Sequence, residues 1–101
     1  MFKFKEAIAD YDKALEINPK IPEAYTYRGN AKEGLKDYAG AIEDHNKTIA
    51  MKPDFAEAYF DRGYSKQKSG DEIGACQDFL KAAEMGYEDA KAALKQYCKN
   101  K

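Results

Sequence analysis

The chain has 101 residues, 44% hydrophobic and 35% charged, a balance that specifies a folded, highly charged domain and excludes a disordered segment. Seventeen basic residues against eighteen acidic ones leave a formal net charge of -1, without the basic excess of a nucleic-acid binder. No apolar run nears the roughly 20 residues of a membrane span, and the start "MFKFKEAIADY" is charged throughout where a secretion signal needs an apolar stretch.

The expectation is therefore no nucleic acid, no membrane insertion and, by default, a cytoplasmic chain. The two cysteines, Cys76 and Cys98, lack C-x-x-C spacing, and His45 is the one histidine, so neither a disulfide scaffold nor a metal site is expected.

Taken in chain order, the first predicted element is a helix over residues 1–18, with Ala7, Ile8, Tyr11, Ala14 and Leu15 at helical spacing on one face. A second helix runs from Pro22, well placed in a first turn, to Leu35. The third runs from Asp37, a natural N-cap, to Met51, before Pro53. The fourth covers Phe55 to Ser69, with Asp54 and Glu57 spaced as a capping box. The fifth begins on Asp71 after Gly70 and reaches Met85. A last helix, over 88–98, carries Ala90, Ala93, Leu94 and Tyr97 on a stripe; its polar remainder suits a cap.

An offset of 34 residues explains this order: residues 22–55 align with 56–89 at twelve identities without a gap. Among them are Ala24/Ala58, Tyr25/Tyr59, Arg28/Arg62, Gly29/Gly63, Asp37/Asp71, Ala41/Ala75 and Asp44/Asp78. Residues 1–21 match the second half of the unit, with Ala7/Ala41, Ile8/Ile42, Asp10/Asp44 and Pro19/Pro53 identical. The layout expected is one domain over 1–101. It holds a half repeat at 1–21 (second helix only), full repeats at 22–55 and 56–89, and a capping helix at 88–98.

A helix–turn–helix unit of this length, with a small residue in the first helix (Gly29, Gly63), Ala in the second (Ala7, Ala41, Ala75) and Pro at the end, resembles the tetratricopeptide repeat (TPR). The resemblance covers residues 1–86 and implies an all-α right-handed superhelical solenoid of about two and a half repeats plus the capping helix. It also implies a concave groove, lined by first helices, that binds a peptide or helix of a partner protein. The groove positions are Glu23, Thr26, Tyr27, Asn30 and Glu33, then Glu57, Phe60, Asp61, Tyr64 and Gln67. Some members of the family grip the C-terminal carboxylate of heat-shock chaperones with Lys, Asn and Arg; of that set this chain offers only Asn30.

Arg28 and Arg62 stand where the family has Leu, and Lys32 and Lys66 where it has an aromatic residue. Asp10, Asp44 and Asp78 recur at one fixed place in the second helices, so pairing of Arg with Asp between helices is expected. His45 falls in register with Tyr11 and Phe79, and Cys76 with Ile8 and Ile42, which reads as packing. Cys98 reads as free. No catalytic residue, cofactor or enzyme activity is expected.

The half repeat lacks a first helix, so Phe2, Phe4, Ile8, Tyr11 and Leu15 are expected to form an open apolar face. Such a face fits a piece of a longer repeat protein, a homo-oligomer built through it, or a partner that supplies the helix.

Overall fold

Residues 3–98 are described by the computed structural model. They form six helices and no strand: α1 Phe4–Ile17, α2 Pro22–Gly34, α3 Tyr38–Met51, α4 Ala56–Lys68, α5 Glu72–Glu84 and α6 Glu88–Tyr97.

Two kinds of joint set the spacing. α1 and α3 end where a proline follows: Asn18 and Lys52 turn extended (φ -141° and -143°), as a residue before proline must. α2, α4 and α5 instead close with a tight double turn. There Asp37 N–H donates to Lys32 O at 2.8 Å, Asp71 N–H to Lys66 O at 2.8 Å and Tyr87 N–H to Ala82 O at 3.1 Å. That turn needs one left-handed residue. Gly70 (φ 100°) and Gly86 (φ 92°) supply it without cost, and Lys36 (φ 67°) supplies it despite its side chain. Asp37 and Asp71 then cap the next helix, accepting from Gly40 N–H at 3.0 Å and Gly74 N–H at 2.9 Å.

The expected capping box at Asp54 does not form. A turn closed by Phe55 N–H to Lys52 O at 3.1 Å makes Phe55 the residue before α4, with no side-chain cap, and leaves Asp54 outside.

Each helix packs on its sequence neighbours, and α2 also packs on α4; no comparable packing joins α3 to α5. The first helices therefore crowd the inner side of an elongated stack of 43 × 27 × 21 Å. Glycine permits the close crossings. A Cβ on Gly29 would sit 3.1 Å from Ala41 O and from His45 Cε1, and one on Gly63 3.0 Å from Asp78 Cβ and Phe79 Cε1.

The arginines form the expected pairs, with one change of partner. Arg28 donates Nε and Nη2 to Asp44 at 2.9 and 2.8 Å, and Nη1 to Asp12 at 2.8 Å. Arg62 repeats this on Asp78 at 2.8 and 2.7 Å, with Asn46 at 2.9 Å in place of Asp12. Lys32 and Lys66 add a second cation, 3.2 Å from Asp44 and 3.3 Å from Asp78. Asp10 is exposed and forms no ion pair among the described residues. Asp12, two residues on, is the α1 carboxylate that meets Arg28.

Two other expectations change. The face expected to be open on α1 is turned onto α2: Leu15 is buried with Ala24 and Tyr25, and Tyr11 packs on that cluster. Phe4 places its ring against Gly34, and Ile8 is half-buried; Phe2 lies outside the described residues. Cys98 is not free. It forms a disulfide with Cys76, joining the end of α6 to α5. The two cysteines lie 22 residues apart in sequence, and only the antiparallel return of α6 along α5 brings them together.

Candidate functional site

The inner side is built from α2, α4 and α6. A groove of about 400 Å³ runs between α4 and α6, lined by Phe60, Tyr64, Asp89, Ala92, Ala93, Gln96 and Tyr97. Its aromatic wall is fixed from behind. Phe60 lies 5.6 Å from the buried Phe79 ring, 6.3 Å from Tyr64 and 5.2 Å from Tyr87. Lys68 Nζ sits 4.9 Å over the Tyr64 ring and 3.6 Å from Glu33.

Carboxylates gather at one edge. Asp61 accepts from Asn30 Nδ2 at 3.0 Å, tying α4 to α2. Burial pushes the Asp61 carboxyl up to about 7, and Glu57 and Glu33 add to the rise against the Asn30 hydrogen bond. The Tyr87 hydroxyl is raised for the same reasons, burial first and then Glu57, Asp61 and Asp89. These acids therefore share one neighbourhood.

Of the ten groove positions read from the sequence, Asn30, Glu33, Glu57 and Asp61 come together at that edge, and Phe60 and Tyr64 wall the groove. Gln67 lines a smaller neighbouring cavity of about 200 Å³, with Gln96 and Tyr97. Glu23 pairs with Lys52 at 3.6 Å, and Tyr27 lies 6.3 Å from Tyr11, towards α1.

Thr26 is a correction. It is buried, donating to Thr48 Oγ1 at 2.8 Å, while Thr48 donates to Pro22 O at 2.8 Å. With both hydroxyl protons spent, His45 Nδ1–H is the donor to Thr26 Oγ1 at 3.2 Å. Nε2 is left as a buried lone pair without a partner. Burial accordingly lowers His45 to about 4. The second repeat fills the same three places with Phe60, Phe79 and Ala82. A hydrogen-bonded polar trio, with one ring nitrogen unpaired, thus takes the place of an apolar one.

The α6 wall was missing from the sequence-derived set. α6 is the last helix of the described residues, and it begins like a first helix. Ile21, Phe55 and Tyr87 each precede a helix in extended form, and each accepts at 3.1 Å from the N–H of an alanine three residues on: Ala24, Ala58 and Ala90. That signal was present, but its spacing is 34 residues and then 32, so a fixed offset passes over it. The shorter second step reflects the Gly86 turn, which replaces the proline-containing link.

On the other side of α6, a larger apolar cavity of about 550 Å³ is lined by Ile73, Cys76, Gln77, Leu80, Leu94 and Cys98. Among the described residues no group of His, Cys, Asp and Glu side chains could hold a metal ion, and no helix is long and apolar enough to cross a membrane.

A sequence profile described as TPR repeat matches residues 3–36. No curated protein matches the sequence. Among solved structures, the first TPR of Spaghetti (RPAP3), bound to an HSP90 peptide SRMEEVD, superimposes with a TM-score of 0.90 at 26% identity, over 96% of this chain and 79% of that one. The Arabidopsis OM64 TPR domain gives 0.91 at 24% identity over 97% and 83%, which bears on the fold alone. MamA gives 0.78 at 31% identity over 87% of this chain and 52% of that one, so this chain spans about half of MamA. Residues 3–36 thus match the TPR repeat, and the chain as a whole has the all-α helical-repeat fold of these TPR structures, a kind of domain that serves as a protein-interaction module.

Proposed function

We propose that the chain is a binding module, not an enzyme, and that it holds a peptide or helical segment of a partner protein along the face formed by α2, α4 and α6. The observation that carries this reading is the aromatic-walled groove of about 400 Å³, on the side where α2 meets α4. Half-buried aromatic side chains on a rigid backing, with one face open to a groove, are good contact residues. Phe60 and Tyr64 qualify because Phe79 and Tyr87 hold Phe60 in place.

The Spaghetti domain was solved with an acidic peptide, SRMEEVD. This groove is not equipped for such a ligand. Thr26 is buried, Asn30 spends a donor on Asp61, and Phe60 and Tyr64 occupy the next places. The partner is therefore of another kind than an acidic chaperone tail.

Tyr64→Ala is the test. It removes a half-buried ring from the edge of the Phe79 cluster, so the thermal melt is measured first and binding is compared well below the variant's melting temperature. Retention of partner proteins or library peptides should fall by tenfold or more. Unchanged retention would remove the groove from consideration. Self-assembly through α1 has no comparable support, because Phe4, Tyr11 and Leu15 are spent on α2.

A further inference from the structure

Elsewhere in the molecule, buried acid is matched to base. Asp44 holds Arg28 and Lys32, and Asp78 holds Arg62 and Lys66. The groove is different. Glu57, Asp61 and Asp89 form no ion pair among the described residues, and the nearby Lys68 is committed to Glu33. Asp89 lines the groove and Glu57 and Asp61 lie in its neighbourhood, in a chain that is almost neutral overall, at -1. These acids lie beside Phe60, Tyr64 and Tyr87, rings whose faces attract cations and whose bodies cover aliphatic stems.

Resting on the groove reading above, we infer that the bound segment is basic: a Lys or Arg side chain lies across Phe60 and Tyr64 and sets its cation among Asp61, Glu57 and Asp89. The charge is complementary, and the groove of about 400 Å³ has an acid, Asp89, in its lining beside the Phe60 and Tyr64 rings. Burial, with Glu57 and Glu33 nearby, raises the Asp61 carboxyl, so a cation set beside it would favour the charged form. An acidic segment entering the same groove meets repulsion at each of these groups.

The test is a positional-scanning library of acetylated, amidated octapeptides, read by fluorescence anisotropy at low salt. The parent, Asp61→Asn and Tyr64→Ala are compared, each first checked by its thermal melt. Asp61→Asn keeps the shape of the side chain and can still meet Asn30. The expected result is at least fivefold selection for Lys or Arg at one position, with Asp and Glu selected against. Asp61→Asn should abolish that selection and Tyr64→Ala should abolish binding. Selection for apolar residues alone, lost in Tyr64→Ala but indifferent to Asp61→Asn, overturns the basic-segment inference and leaves the groove reading standing. Basic selection that survives both substitutions is surface attraction and overturns the inference as well. No selection at any position overturns both.

Discussion

Arg28 reaches sixteen residues back to Asp12 and sixteen forward to Asp44, so one side chain fastens α2 to both its neighbours. The two arms are unequal. Asp12 is 55% exposed and Asp44 only 3%, which puts the first pair in water and the second out of it. The guanidinium is held charged well above its ordinary range, chiefly by its hydrogen bond to Asp44. Asp12→Ala should therefore cost under about 1 kcal/mol, as exposed pairs do. Arg28→Ala strands Asp44 with Lys32 alone and should cost about 3 kcal/mol, the low end for a broken buried pair. Two thermal melts decide it; equal losses would mean that the buried arm is no stronger than the exposed one. The Asp44 and Asp78 partners were legible in the sequence because the same acid recurs at the offset. Asp12 and Asn46 were not, because an aspartate and an asparagine share a role there without sharing an identity.

The element scale shows why the α2–α3 and α4–α5 pairs, near-copies in backbone, differ inside. Thr26, His45 and Thr48 close a hydrogen-bonded chain onto Pro22 where Phe60, Phe79 and Ala82 simply pack. This gives the protein two opposed pH dependences. His45, lowered to about 4 from 6.5, contributes stability that is present above pH 6.5 and is lost as pH falls towards 4. Asp61, raised to about 7 from 3.8, contributes stability that is present below its ordinary value and is lost as pH rises through 7. The windows overlap, so the parent should change little between pH 4 and 7. Asp61→Asn should uncover the His45 arm, with melting temperature climbing with pH across that range. The triple variant Thr26→Phe, His45→Phe, Thr48→Ala should uncover the Asp61 arm, with melting temperature falling. Parallel profiles in the three proteins would refute the assignment. The helices themselves were legible from periodicity, caps and glycines. The inward turn of Thr26 was not, since a threonine carries no mark of facing inward until its acceptor is seen.

At the scale of the molecule, the groove depends on α6, and α6 depends on the Cys76–Cys98 bond as well as on Ala90 and Ala93. A cross-link that closes a loop of this length contributes about 3 kcal/mol, by limiting the unfolded chain. Reduction, or Cys98→Ala, should lower the melting temperature and weaken ligand retention together, with α1 to α3 the last to melt; amide exchange by region measures it. Loss of stability without loss of binding would separate α6 from the site. Six helices that lean only on near neighbours make a spring rather than a block, and its pitch is set joint by joint. A segment lying across α2, α4 and α6 would act as a splint along that spring. Occupancy should therefore stiffen the molecule against stretching, even at joints the ligand never touches.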